Sequence, residues 1–362
     1  MQTDEDDDYL IEQFNLDKSQ YAELVELIKT AFISDNPAEG GTIAFTEQSF
    51  NLIFGSPIME SDLFVRAIYK PTGETVGFLG GIPRPLSVRG TVYKCGVPGW
   101  LATFPQHQRK GLAIKMGLKL MEIGKERGYD AGFAFFEPEA HGIDTARSLI
   151  RQTGIPMHEL ATIQQFIIRA FDVKRIAQVI KLKGYEKFGL RLLQGIQKVN
   201  NPRVRQCRPE DAERMFELMQ DHVERNEISI VRDHDDFVWY VQQPGVNCVV
   251  HEGEDGQVDG FILAWEFQLA GFGNLAPLGW LDLVHTYRLS QKNAVDLVRY
   301  LCVTSKERGW AGLQTPFIPY FDPAPFKKAK FVFFPKKLIV ALFPVAEMDL
   351  PDHPSSFYFD WR

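Results

Sequence analysis

Residues 99–137 read GWLATFPQHQRKGLAIKMGLKLMEIGKERGYDAGFAFFE, and this stretch decides the fold. Trp100, Leu101, Ala102, Thr103 and Phe104 form a short apolar run closed by Pro105, which suits a buried strand better than a helix. From Leu112 the apolar spacing becomes helical, with Leu112, Met116, Leu120 and Ile123 on one face. Lys115, Lys119 and Lys125 fall off that face, and Gly128 is placed to stop the helix. Ala131 to Phe136 is a second apolar strand. The order is strand, tight loop, helix, strand.

The loop carries the chemistry. A helix that begins inside Gln108-Arg109-Lys110-Gly111-Leu112-Ala113 presents unpaired backbone N–H groups and the positive end of its dipole. Gly111 lets a ligand approach the backbone closely, and Arg109 and Lys110 add two positive charges. Such a site suits a pyrophosphate; the plainer alternative is a surface turn with a basic helix start. Neither Gly-x-x-x-x-Gly-Lys-Ser/Thr nor Gly-x-Gly-x-x-Gly occurs in this loop, so it is no P-loop, and a dinucleotide fold is disfavoured.

Gln108-x-x-Gly111-x-Ala113, after a strand ending in Thr103-Phe104-Pro105, resembles the acetyl-CoA signature of the GNAT superfamily of N-acyltransferases. The following amphipathic helix and the Glu126-Arg127-Gly128-Tyr129 segment before the next strand strengthen the likeness. The resemblance implies an α/β (α+β) fold, with a mixed, mainly antiparallel sheet flanked by helices. It implies an acyl-CoA co-substrate, acetyl-CoA or another, held by Arg109, Lys110, Gly111, Leu112, Ala113 and Ile114 at the pyrophosphate. Gln108 completes the motif. Main-chain groups of Leu101, Ala102 and Thr103 would pair with pantetheine and polarise the thioester carbonyl.

Composition narrows the remaining classes. With 45% apolar residues and 12% aromatics, a chain of 362 residues can fill two globular cores. The four cysteines, Cys95, Cys207, Cys248 and Cys302, have no metal-ligand spacing and suit a reduced, cytoplasmic protein. The acidic start, Met-Gln-Thr-Asp-Glu-Asp-Asp-Asp, is the reverse of a signal peptide. No transmembrane stretch is present, and a net charge of −7 argues against nucleic acid as the main partner.

Upstream of the loop, residues 1–18 are expected to be a loose acidic head or a short strand. Helices are expected from Tyr21 to Phe32 and from Thr46 to Phe54, with Thr46 as a cap. Strands are expected from Leu63 to Tyr69 and from Val76 to Ile82, and Arg84 to Val92 continues the meander. The stretch Val76 to Arg89 resembles a strand pair of the N-myristoyltransferases, which are two GNAT folds in tandem, and Arg169 to Ile176 resembles their crossover. Their signatures at the acyl site are missing, so the architecture carries over and the myristoyl group does not.

Three internal matches point to a duplication. Gly77-Phe78 is echoed by Gly260-Phe261, Gly99-Trp100-Leu101 by Gly279-Trp280-Leu281, and Lys125 to Tyr129 by Lys306 to Trp310. The expected domains are 1–177, with the acyl-CoA site, and a degenerate copy over 204–362. Between them lies a basic connector, 178–203. One amphipathic helix is expected from Ile176 to Leu193; it reads as a solvated connector, with membrane-surface or RNA contact as the alternative. In the second copy, His285 to Val295 is expected to run as an uninterrupted helix that replaces the glycine loop.

Acyl transfer to an amine needs a base. Glu137, Glu139 and His141 cluster after the Ala131–Phe136 strand and form one candidate set. Asp360 and the carboxylate of Arg362, in the apolar tail Phe357 to Arg362, form the other; N-myristoyltransferases use their terminal carboxylate. The family's tyrosine acid is absent, because Ile150 stands at its position and Ile143 at the preceding asparagine's. The sequence thus predicts an N-acyltransferase, foremost an N-acetyltransferase, acting on an amine of a small molecule or peptide. A non-catalytic acyl-CoA-binding module and an aminoacyl- or lipid-linked transferase are the alternatives.

Overall fold

The computed structural model describes residues 8–138 and 141–362, with His141 as backbone alone. Two compact units emerge: one has the chain up to Asp35, Ile58–Thr162 and Lys337–His353, the other Asn36–Pro57, Ile163–Lys336 and Pro354–Arg362.

In the first unit, the strands Tyr9–Phe14, Phe64–Tyr69, Glu74–Pro83 and Cys95–Thr103 pair antiparallel in that order. Cys95–Thr103 then meets Ala131–Phe136 in parallel, with Cys95 opposite Ala131 and Gly96 opposite Gly132. Residues 339–344 of the Val332–Pro344 strand complete the sheet antiparallel to Ala131–Phe136. The helix Leu112–Glu126 buries Leu112, Met116 and Ile123, as its spacing requires, in a core with Val65, Ala67, Val76 and Leu79. Each such side chain contributes roughly 1.5–3 kcal/mol by leaving water.

The second unit repeats this order. Val204–Gln206, Val246–Glu252, Val258–Gly271 and Asn274–His285 pair antiparallel. Asn274–His285 meets Gly312–Pro316 in parallel at Gly279–Leu313 and Trp280–Gln314. Residues 166–170 of the His158–Ala170 strand finish the sheet. The final strand of each unit therefore comes from the other half of the chain. This differs from the chain-order division at 178–203: residues 36–57 and 163–177 lie with the second unit and 337–353 with the first.

The internal matches fall on equivalent elements. Gly77-Phe78 and Gly260-Phe261 sit on Glu74–Pro83 and Val258–Gly271. The Gly-Trp-Leu pair sits on Cys95–Thr103 and Asn274–His285. Lys125 to Tyr129 and Lys306 to Trp310 end the helices Leu112–Glu126 and Gln291–Glu307 with the same hydrogen bonds. Gly128 donates to the Lys125 carbonyl at 3.1 Å and Tyr129 to that of Gly124 at 2.9 Å; Gly309 donates to Lys306 at 2.9 Å and Trp310 to Ser305 at 3.2 Å. Both glycines are left-handed, at φ 68° and 80°, which is what this helix stop demands.

Of the two readings of residues 1–18, Tyr9–Phe14 take the short strand, at the edge of the sheet. Two local expectations change. The connector helix is two helices, Val173–Val179 and Gly184–Leu193. The chain breaks between them because Gly41 donates to the Val179 carbonyl at 2.8 Å and Lys181 to that of Glu39 at 3.0 Å, which draws the backbone out of the helix. The run His285 to Val295 is also interrupted. Its strand ends at His285, and the helix starts only at Gln291.

Candidate acyl-CoA site

In the first unit, Cys95–Thr103 and Ala131–Phe136 share two paired residues and then part. Beyond Gly96, the strand bulges: Phe78 faces Ala102 and Gly80 faces Gly99, so Leu79 stands opposite both Trp100 and Leu101. Trp100 takes φ 61°, left-handed for a residue with a Cβ. A bulge re-aims the backbone groups around it, and a non-glycine residue held there costs on the order of 1 kcal/mol or more. Phe32 holds the Trp100 ring, stacked at 6.2 Å between centroids. Leu101, Ala102 and Thr103 follow directly.

Phe104 ties the loop back to Val76 (N–H to carbonyl, 3.0 Å), and His107 bonds Phe104 at 2.8 Å. The Tyr9 hydroxyl lies 3.0 Å from His107 Nδ1. Gln108 acts as a strut: its amide donates to the Thr103 carbonyl at 3.4 Å and to Asp35 at 3.3 Å. The structure thereby gives Gln108 a loop-holding role that its place in the motif does not reveal. Arg109 and Gly111 are left-handed, at φ 62° and 74°. Left-handed residues on both sides of Lys110 make the concave backbone that suits anions.

Gly111 is the N-cap of Leu112–Glu126 and has no side chain with which to cap it. The Lys115 N–H is bonded to the Gly111 carbonyl at 3.1 Å, so the amides of Leu112, Ala113 and Ile114 precede the helix ladder. A Cβ on Gly111 would meet nothing within 4 Å; glycine is required there by its φ, and the space beside it is open. Arg109 and Lys110 are exposed.

The second unit treats the same features differently. Its helix Gln291–Glu307 is capped by Ser290, whose hydroxyl accepts from the Asn293 N–H at 3.3 Å. The Asn293 amide is thus satisfied by a capping side chain, not by a continuing helix. Asp282 is the bulge residue, between the Leu263–Leu283 and Ala264–Leu281 pairs. Beyond the parallel contact, the chain fills the gap itself. Val284 donates to the Tyr320 hydroxyl at 3.1 Å, His285 Nε2 is 3.2 Å from the Tyr358 hydroxyl, and the Trp361 N–H donates to Asp282.

The candidate bases separate. Glu137 is exposed, one residue past the Ala131–Phe136 strand. Glu139 and the side chain of His141 lie outside the described residues. Asp360 is buried and pairs with Arg232 Nε at 2.6 Å. Arg232 also bonds Asp236 at 3.1 Å and Asp282 at 3.2 Å, and the Tyr240 hydroxyl donates to Asp282 at 2.7 Å. Arg362 is buried too; its guanidinium binds Asp236 and the Leu52 carbonyl, the latter at 3.0 Å. Burial, reinforced by the charge of Asp360, raises the Asp282 carboxyl above its ordinary range. The tail Phe357–Tyr358 pairs parallel with Ile228 and Ser229. Ile143 is buried and Ile150 half-buried in the helix His141–Thr153.

Residues 15–138 match the family model for the acetyltransferase (GNAT) domain. Among solved structures, the chain is similar to Saccharomyces cerevisiae N-myristoyltransferase with bound myristoyl-CoA. The TM-score is 0.76 at 15% identity, over 96% of this chain and 86% of that one. Another structure of that enzyme with myristoyl-CoA gives 0.74 at 16% identity, over 95% and 82%. A GCN5-related N-acetyltransferase from Kribbella flavida gives 0.50 at 13%, over 91% and 71%. No curated protein matches the sequence. The chain has the GNAT-superfamily fold, built in tandem, and its architecture resembles that of N-myristoyltransferase.

Proposed function

We propose that this protein is an acyl-CoA-dependent N-acyltransferase with one acyl-CoA site, in its first unit. The observation that carries the reading is the contrast at the two helix starts. Leu112–Glu126 begins at a left-handed glycine with no capping side chain, whereas Gln291–Glu307 begins at a serine that caps it. An uncapped helix start with Arg109 and Lys110 beside it suits a pyrophosphate. The parting strands leave main-chain groups of Leu101, Ala102 and Thr103 for pantetheine, and an N–H at the bulge can stabilise the oxyanion that forms on the thioester carbonyl. The GNAT domain match and the similarity to acyltransferase structures support the same chemistry.

The acceptor is an amine of a small molecule or peptide, and it must lose a proton before attack, since a free amine titrates near ~10. Its nitrogen then bonds the acyl carbon, the C–S bond breaks, and CoA leaves as the thiolate. Among the base candidates we favour Glu137, because it is exposed at the end of a strand that borders the gap. The buried pair with Arg232 occupies Asp360. Acetyl-CoA is the co-substrate we favour. The missing tyrosine, with Ile150 in its place, favours a second reading, a non-catalytic acyl-CoA-binding module.

Release of free thiol from acetyl-CoA across a panel of amines and peptides separates the two. Turnover supports the enzyme; CoA binding without turnover on any acceptor supports the binding module. On a verified acceptor, Glu137→Gln is expected to lower kcat by about 10²–10⁴-fold with little change in CoA affinity. Asp360→Asn should leave the pH profile of kcat in place; the reverse outcome assigns the base to the tail.

A further inference from the structure

The helix Gly184–Leu193 presents a face that the fold does not use. Tyr185, Phe188 and Leu192 are 70%, 66% and 65% exposed, more than any other large apolar side chain among the described residues. Their spacing of three and four places them on one side of the helix. Lys187 and Arg191, four apart on the helix, and Lys183, the N-cap residue whose ammonium lies 5.9 Å from the Tyr185 ring centroid, form a basic stripe beside them. Over 181–198 five lysines and arginines face one acid, Glu186, in a chain of net charge −7. Glu186 is engaged at the helix start, accepting the Lys183 N–H at 2.7 Å, and Lys181 pairs with Glu39 at 3.3 Å.

This helix is tied to the fold at its carboxyl end. Arg169, itself 2% exposed, donates to the carbonyls of Leu193 at 2.6 Å and Gly195 at 2.9 Å. Leu190 and Leu193 turn toward the fold and are half-buried. The exposed face is therefore anchored at that end and turned away from the fold. We propose that it docks the protein on an anionic lipid bilayer, with the three apolar side chains at the acyl boundary and the basic stripe among the headgroups. Charge complementarity selects the anionic surface, and long basic side chains can reach headgroups while their stems stay apolar. The exposed apolar stripe favours lipid over nucleic acid, which rewards charge without needing it. This proposal is independent of the acyl-transfer reading.

Flotation of the full chain with vesicles tests it. Vesicles of phosphatidylcholine alone are compared with vesicles holding about 30 mol% phosphatidylserine, at low salt and at about 0.5 M salt. The expected result is flotation with the anionic vesicles only, reduced by salt. Tyr185→Ser/Phe188→Ser/Leu192→Ser and Lys183→Glu/Lys187→Glu/Arg191→Glu should each weaken it by about tenfold or more. If either triple variant melts below wild type, the single changes Phe188→Ser and Arg191→Glu are read instead. No flotation of wild type on anionic vesicles at low salt overturns the proposal, as does flotation that the serine changes leave intact. Two other results overturn it: binding to polyuridine that only the charge changes reduce, and a solution dimer that the serine changes dissociate.

Discussion

Gly111 does two things that no other residue at that position can do together. It holds φ 74° without strain, and it leaves the start of Leu112–Glu126 without a cap. The open helix start was legible in the sequence, where Gly111 reads as a point of close approach beside a basic pair; its left-handed φ was not read there. Nor was the role of Gln108. Its partners, the Thr103 carbonyl and Asp35, are brought to it by folding. Trp100 was equally hidden, since a bulge is defined by the strand opposite and not by the residue that bulges. At this scale Gln108→Ala is expected to loosen the loop and weaken CoA binding several-fold, up to about tenfold, the worth of a net hydrogen bond. Isothermal titration with CoA reads it; an unchanged affinity would mean that the strut is not needed.

Among the elements, the two equivalent helices start differently, one at an uncapped glycine and the other at a capping serine. The duplicated segment Lys-Glu-Arg-Gly-Tyr/Trp was readable because the helix stop it encodes is local, made by Gly128 and Gly309 with their own helices. The difference at the helix starts was only partly readable. The loss of glycine between Trp280 and Arg308 pointed to a closed site, but the closure comes from Ser290 as a cap, and from Tyr320 and the tail in the gap. Ser290→Ala is expected to cost about 1 kcal/mol of stability. It should not create a second CoA site, because the gap beyond Trp280 stays filled. Denaturant unfolding gives the first quantity and CoA stoichiometry the second; a second CoA on this variant would show that the cap alone had closed the site.

For the whole molecule, the strand exchange was beyond the reach of the sequence. Nothing local in residues 166–170 and 339–344 says which sheet each completes; only long-range pairing decides it. A pH dependence follows from the second unit's interior. Burial pushes the His222 imidazole down to about 4, with Arg225 adding to it, and burial and His222 push His285 well below its ordinary 6.5. Both are neutral in the folded protein and take up protons more readily when unfolded. Their contribution is therefore fully present above pH 6.5 and is lost as pH falls toward about 4. Thermal melts should show Tm falling across that window, and His222→Phe should flatten part of the fall. A wild-type Tm constant over the window would contradict neutral, buried imidazoles.

The claim that one uncapped helix start makes one acyl-CoA site is tested most directly by calorimetric titration of wild type and Gly111→Asp with CoA. Gly111→Asp places a carboxylate where the pyrophosphate would lie, so the variant is compared at a temperature where both proteins are folded. The account predicts one CoA per chain for wild type and binding weakened beyond about tenfold for the variant. Two equivalent sites on wild type, or wild-type affinity in Gly111→Asp, would contradict it.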